Sequence, residues 1–299
     1  VAGVATFTGL GKFGTAGSKT LTFHTGSLTD ATQTFQLTYG AAYQLAKTTP
    51  AAGFASSAAF TTQPVITIQD QDGNTVGNST ATVTVTSSPA GLGGITSMPA
   101  VAGVADFAGK GLKLSGTIGD YTLTYAIAGP ISTTQTVTLT HGAADHMTLT
   151  AASTLVNDTV FGTQPVVTIY DADSNVVTSG SQSTQNVTLA ATGATLGGTK
   201  TMAAVAGVAN FSGKGLKLTG LIGDKTLTAS IASPSAITRD ETVTITFGAA
   251  HHLSISSGAA GAANRIAFTS QPVIEVLDVS NNRVSDSTAT IAVAASGAN

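Results

Sequence analysis

Three short runs hold most of the side chains in this sequence that could do chemistry together. Asp70–Asn74 reads DQDGN, Asp171–Asn175 reads DADSN, and Asp278–Asn282 reads DVSNN. Asp70, Asp72 and Asn74 place oxygen atoms at alternate positions, as do Asp171, Asp173 and Asn175. Calcium loops present their ligands at this spacing. The third run loses one carboxylate, and no Glu follows at the position where such loops place a bidentate ligand. The same residues also suit a tight hairpin turn, because Asp, Gly and Asn tolerate positive φ and bond their own backbone. The turn is the simpler reading, and both stay open on sequence alone. Asp120 and Asp224 could add ligands only if the fold carried them close.

Other chemistry is thinner. His141, His146, His251 and His252 lie beside Gly-Ala-Ala motifs, where clustered imidazoles could bind a metal or sense pH. The first such motif has Tyr39 and Tyr43 in their place, so a polar or aromatic packing contact between repeats is the preferred reading. Ser and Thr are too abundant for any one of them to mark a nucleophile. Acidic residues are scarce and fall mostly in turns, which leaves no carboxylate pair suited to glycoside cleavage. With no cysteine, disulfides, zinc–thiolate sites and thiol nucleophiles are excluded. The pairs Lys110/Lys113 and Lys214/Lys217 most simply keep an edge strand solvated. A Lys–Asn isopeptide cross-link would need a buried Lys, Asn and acid together, and no Asn partner recurs with the repeat. Sequons stand at Asn78, Asn157, Asn186 and Asn210. Asn78 and Asn157 fall in expected loops, where glycans are tolerated. No catalytic, cofactor-binding or metal-ligating residue is assigned, and the expected class is non-enzymatic.

The composition narrows the partners. Of the 299 residues only 9% are charged, with 12 basic and 15 acidic side chains, against roughly 25% in an ordinary domain. That is too sparse and too balanced to track phosphates, so no nucleic-acid partner is expected. The hydrophobic fraction of 42% suffices for a core and argues against disorder. No apolar run approaches the ~18 residues of a membrane-spanning helix. The sequence opens at Val1 without an initiator Met or a basic leader, so any export signal is expected to lie outside these residues.

The elements that must position these runs come in copies. VAGVATF at Val1–Phe7 returns as VAGVADF at Val101–Phe107 and as VAGVANF at Val205–Phe211. Gly-Ala-Ala starts at Gly40, Gly142 and Gly248, and a Gln-Pro followed by an apolar run and Asp begins at Gln63, Gln164 and Gln271. Three markers in one order, at a period of roughly a hundred residues, define an internal repeat. Dividing at Gly-Ala-Ala gives the C-terminal part of a repeat over 1–40, complete repeats over 41–142 and 143–248, and the N-terminal part of a repeat over 249–299. An excerpt of a longer array would look like this. Alternatively, the two partial repeats pair between neighbouring chains. Joined, they would lack the equivalent of GLGGITSMPA, a gap that favours the excerpt.

Within a repeat the hydrophobic period is two. Thr80–Thr86 reads TATVTVT, Tyr121–Ile127 reads YTLTYAI, and Thr134–Thr140 reads TQTVTLT. Further strands are expected at Tyr43–Lys47, Phe54–Thr61, Val65–Ile68, Leu92–Ser97, Val104–Phe107 and Leu112–Leu114. Turn signals at Asp72–Asn74, Gly91–Gly94, Gly109–Lys110, Gly119–Asp120 and Gly129–Pro130 separate them. Nothing reads as a helix. The predicted fold is all-β: tandem antiparallel sandwiches, each sheet with one buried face. The run Asp-x-Asp-Gly-Asn, then alternating Thr-Val, then Gly-Val-Ala-x-Phe, then Gly-x-Tyr-Thr-Leu-Thr resembles the bacterial Ig-like repeats of invasin- and adhesin-type surface proteins, over the whole chain. The resemblance implies an elongated extracellular array, a stalk, fibre or coat at the cell surface.

Outward strand positions are mostly Thr, and edge-guarding Lys or Pro are few. Much of this surface is therefore expected to be covered, by identical chains in a filament or lattice or by glycans. The functional expectation is a structural surface protein. Its alternatives are the stalk of an adhesin whose tip lies elsewhere, or an accessory region of a secreted polysaccharide-degrading enzyme. With so few charges for salt to screen, the melting temperature should move by no more than about 3 °C between low and high sodium chloride. A shift several times larger in calorimetry would contradict this reading.

Overall fold

The computed structural model describes residues 3–232 and 236–296; Val1 and Ala2, which open the first copy of the Val-Ala-Gly-Val marker, lie outside the described residues. The chain forms two compact units, Val1–Gly142 and Ala143–Asn299. The first holds β1 (Gly17–Phe23), β2 (Ala31–Leu37), β3 (Gln44–Thr49), β4 (Val65–Gln69), β5 (Thr82–Ser88), β6 (Leu92–Gly93), β7 (Ser97–Pro99), β8 (Val104–Asp106), β9 (Lys113–Leu114), β10 (Gly119–Ala126) and β11 (Ser132–Leu139). The second holds β12 (Ala144–Thr150), β13 (Thr154–Val156), β14 (Val166–Asp171), β15 (Asn186–Thr192), β16 (Thr195–Gly197), β17 (Thr201–Ala203), β18 (Val208–Asn210), β19 (Lys217–Thr219), β20 (Gly223–Ile231), β21 (Ile237–Thr246), β22 (His252–Ser257) and β23 (Val273–Leu277). A single 3₁₀ turn, Ser181–Thr184, is the only helical element among the described residues.

In the first unit one sheet runs β3-β4-β8 and the facing one β11-β10-β5-β7; the second unit repeats this as β12-β14-β18 and β13-β21-β20-β15-β17. Neighbours are antiparallel except β13, which lies parallel to β21. This is the strand order of an Ig-like sandwich, with the first, second and fifth strands on one face and the third, sixth and seventh on the other. Tyr121, near the start of β10, donates its hydroxyl to the Thr117 carbonyl at 3.1 Å, the back-bond that fixes the corner before the sixth strand in this fold. Lys225 stands at the corresponding position of the second unit.

Alternation builds the cores. Val83 and Val85 of β5 are buried while Thr82, Thr84 and Thr86 are exposed. Ile66 and Ile68 from one sheet meet Leu123 and Tyr125 from the other, with Phe107, Leu112 and Leu114 closing one edge. Val167, Ile169, Leu227, Phe211, Leu216 and Leu218 take the same places in the second unit. In the two sandwiches the Gln of the Gln-Pro marker ties the edge shut. Gln63 donates to the Phe60 and Leu112 carbonyls at 3.1 Å and accepts the Leu112 N–H at 2.9 Å, and Gln164 does the same to Phe161 and Leu216.

The flanking segments carry the same pieces. The β1–β2 hairpin pairs Gly17 with Leu37 through to Phe23 with Ala31, the register in which β10 pairs β11 from Gly119 with Leu139. The β22–β23 hairpin reproduces β3–β4 down to its bulge, which lies between Ile255 and Ser257 in one and Lys47 and Thr49 in the other.

Three expectations need correction. Phe54–Thr61 is no strand; it touches its neighbours through isolated bridges, Ala55 with Thr140 and Ala59 with Lys113, because Gly53 and Ser57 turn the backbone to positive φ. Leu92–Ser97 splits into β6 and the start of β7 around Gly94, which also has positive φ. Gly119 and Asp120 lie inside β10 rather than in a turn, where the Asp120 carboxylate accepts the Thr138 hydroxyl across the ladder at 2.7 Å.

Candidate functional site

Each Asp-containing run closes a turn at the end of β4, β14 or β23; the first two are the central strands of three-stranded sheets, and β23 pairs with β22 alone. Asp70 donates its N–H to the Asn74 carbonyl at 2.9 Å and accepts the Gly73 N–H at 3.1 Å. Asp171 and Asp278 do the same with Asn175 and Ser174, and with Asn282 and Asn281. The fourth residue takes positive φ in all three, as Gly73 (80°), Ser174 (63°) and Asn281 (66°). This geometry is a three-residue loop with a bulge at its left-handed residue.

The turn aims its carboxylate inward, and N–H donors fill it. Asp70 Oδ1 accepts the backbone N–H of Asp72 (3.0 Å) and Asn74 (2.8 Å), while Oδ2 accepts Asn74 Nδ2 (2.9 Å) and the backbone N–H of Gly40 (2.8 Å). Asn74 completes the clasp by accepting the Ala16 N–H at 2.7 Å and donating to the Gly14 carbonyl at 3.1 Å. One Asp–Asn pair thus holds the segment leading into the sandwich and the loop before β1. Tyr39 packs against the same core, the aromatic contact expected at that junction.

The second unit shows a more buried version. Asp278 Oδ1 accepts the N–H groups of Ser280 and Asn282, each at 2.9 Å. Its Oδ2 takes Gly248 N (2.9 Å), Asn282 Nδ2 (2.9 Å) and Asn157 Nδ2 (2.8 Å). Asn282 accepts the Ile222 N–H at 2.9 Å and donates to the Gly220 carbonyl at 3.0 Å, and Asn157 Oδ1 accepts the Gly220 N–H at 2.9 Å. Asp278 is fully buried and Asn157 is 1% exposed. Gly248 approaches so closely that a Cβ there would lie 2.5 Å from the Asn157 carbonyl oxygen; no larger residue fits without moving backbone. Asp171 closes its own turn with the N–H groups of Asp173 (3.0 Å) and Asn175 (2.8 Å) and with Asn175 Nδ2.

These donors set the acidity. For Asp278, burial pushes the carboxyl up, but the N–H groups of Gly248, Asn282 and Asn157 outweigh it and hold the group well below the ordinary carboxylate range. The Gly40 N–H, then Asn74, lowers Asp70 in the same way. Two oxygens already saturated by N–H groups are poorly disposed toward a cation, which needs those lone pairs. Among the described residues no three His, Asp or Glu side chains gather in a group that could hold a metal ion.

The remaining candidates are dispersed. Asp224 accepts the Thr244 hydroxyl at 2.6 Å, as Asp120 accepts Thr138. His146 stacks on Tyr170 with ring centroids 5.5 Å apart, and His251 meets His252 edge-on at 5.4 Å. Lys217 pairs with Asp158 at 2.6 Å, and with Thr219 it lowers that carboxyl. Both partners are more than a third exposed, in a setting too wet for a buried cross-link. Asn78, Asn186 and Asn210 lie on the surface. Asn157 does not: its amide nitrogen, the atom a glycan would take, is bonded to Asp278, so the expectation of glycan tolerance there is corrected. Asn157 carried no other signal in the sequence, because its partner lies 121 residues away.

No family model matches this sequence, and no curated protein matches it. Solved structures do. The bacterial integrin-binding protein invasin is 18% identical over 81% of this chain and 48% of its own, with a TM-score of 0.33. The Escherichia coli adhesin FdeC is 14% identical over 84% of this chain and 79% of its own, with a TM-score of 0.33. A glycosyl hydrolase family 2 member from Bacteroides cellulosilyticus is 14% identical over 62% of this chain and 23% of its own, with a TM-score of 0.29. The chain therefore spans about half the length of invasin and about a quarter of the glycosyl hydrolase.

Because the folded carboxyls lie below their free value, their stabilisation is fully present above the free range near ~4 and is lost as pH falls through the folded value. Asp278→Asn should place an NH₂ or an uncharged oxygen before three N–H donors. We expect a loss of about 2–3 kcal/mol in the unfolding of 249–296 and a weaker acid dependence below about pH 4. Denaturation of both proteins across pH 2–7 checks this; identical acid profiles would contradict it.

Proposed function

We propose that this chain is a load-bearing, non-enzymatic part of a cell-surface stalk or filament. In this reading 41–142 and 143–248 are complete Ig-like repeats, and 1–40 and 249–299 are parts of two more. The Asp–Asn turns are then mechanical joints rather than cation sites. One observation carries the proposal: two of the most buried polar side chains among the described residues, Asp278 and Asn157, are spent on fastening one repeat to the start of the next. An enzyme concentrates perturbed, buried titratable groups where a substrate can reach them. Here their lone pairs and protons are taken up by backbone N–H groups and by one another, and Asp70 accepts from Gly40 and Asn74 in the same manner.

The low charge supports the same role. Strands faced with Thr and sparsely guarded edges suit a surface that neighbouring copies cover, and Asn78, Asn186 and Asn210 remain open to glycans. In a repeat array each unit leans only on its neighbours, and length is the product. Stretching single molecules between their ends tests this. Two force peaks should appear, each releasing about 35 nm, the contour of roughly a hundred residues. A single all-at-once event, or extension without resistance, would overturn the proposal.

A further inference from the structure

His251 and His252 bring their Nδ1 atoms within 3.2 Å of one another. Consecutive residues of a strand point to opposite faces, so neighbours seldom meet in this way. They meet here because His251 lies just ahead of β22 and His252 opens it. The backbone holds both in place. His251 donates its N–H to the Leu277 carbonyl at 2.8 Å, and His252 lies opposite Leu277 in the ladder. As a packing contact, the reading that sequence favours, the pair buries little: His251 is exposed and His252 half-buried, with the rings at 83° to each other. Two ring nitrogens that face each other need either one shared proton or a cation between them. Their separation is at the long limit of hydrogen bonding.

The same separation suits a cation. Zinc binds imidazole nitrogen at about 2.0–2.1 Å, and two such bonds whose nitrogens stand 3.2 Å apart meet at about 100–106°. That is close to the tetrahedral angle zinc prefers. We propose that His251 Nδ1 and His252 Nδ1 together bind a zinc ion. The two nitrogens fill half of its shell, and water takes the other half, since no third His, Asp or Glu joins them among the described residues. Room for that water exists. His251 lines a recess of about 310 Å³ whose other wall is Asn157, Asp158 and Thr159. Lys217 and Thr219 both bond Asp158 through Oδ1, which leaves Oδ2 to accept from a zinc-bound water. The ion thus ties the start of 249–296 to the repeat before it, at a second point beside the Asp278 clasp. It uses none of the Asp278 oxygens, which N–H groups already occupy. At the first joint Tyr43 and Gln44 hold the corresponding positions, so zinc has no such site there.

Titration calorimetry of the chelator-treated full chain with zinc chloride tests the site. One zinc should bind per chain. His251→Ala and His252→Ala should each weaken binding at least about tenfold, and Asp158→Asn by a smaller factor. Unchanged melting without zinc shows that the histidine variants are folded. In nitrogen NMR of histidine-labelled chain, zinc should shift Nδ1 of both rings and leave Nε2 protonated, which separates this site from casual uptake by a surface imidazole. A chain that binds no zinc, an affinity that neither histidine substitution lowers, or coordination through Nε2 would each overturn the inference. None of these results would disturb the two force peaks expected of the repeats, so the two readings fail separately.

Discussion

A carboxylate with more N–H donors than it can turn away is the constraint on which the rest of this structure depends. Asp70 receives four such bonds and Asp278 five. Three of the donors belong to the turn in each case; Gly40 reaches Asp70 from outside it, and Gly248 and Asn157 reach Asp278. An ionised acceptor makes hydrogen bonds roughly twice as strong as neutral ones. Moving it out of water is tolerable only when every lone pair is met. The turn therefore does two things with one group. It fixes the strand that leads into it, and it fastens the Gly-Ala-Ala segment that opens the repeat. The side chain four residues on, Asn74 or Asn282, extends the clasp to a loop of the preceding segment.

The sandwiches and the clasps divide the labour by chemistry. Stability of each repeat comes from apolar area: alternating Val, Ile and Leu on facing sheets, with Phe107 or Phe211 wedged at the edge. Orientation of the joined segment comes from hydrogen bonds, which are directional where hydrophobic burial is not. Long-range charge has little part in either. The ion pairs, such as Lys217 with Asp158, sit partly in solvent, where such pairs contribute little. A protein assembled this way is insensitive to ionic strength, yet it keeps one acid-labile element, the carboxylate at each joint.

Much of this was legible in the sequence, for reasons that can be given residue by residue. Period-two runs such as TVTV and TLTY state which face is buried, so the all-β sandwich and most of its strands follow directly. The Asp-x-x-x-Asn spacing names a turn because its bonds are local. What it could not name was the other half of the site. Gly40 lies 30 residues from Asp70, and Asn157 lies 121 from Asp278; no short-range pattern links them. Asn157 does lie in a turn, as expected, but for that reason its sequon wrongly suggested that a glycan is tolerated there; its burial and its bond to Asp278 correct this. The bridged stretch at Phe54–Thr61 failed differently. Its apolar content suggested a strand, and positive φ at Gly53 and Ser57 broke it, a backbone choice that side-chain pattern does not record. The repeated Gly-Ala-Ala was visible as a marker; its reason, the close approach at Gly248, was not.

The most direct measurement of the clasp is amide hydrogen exchange at Gly40 and Gly248, whose N–H groups donate to Asp70 and Asp278. In the native chain both amides should exchange slowly, protected by at least about a hundredfold. Asp70→Asn and Asp278→Asn should each speed the corresponding glycine at least about tenfold, while amides of Ile66 and Val167 in the cores stay as they were. Glycine amides that exchange in the native chain at the rate of an open peptide would contradict the account.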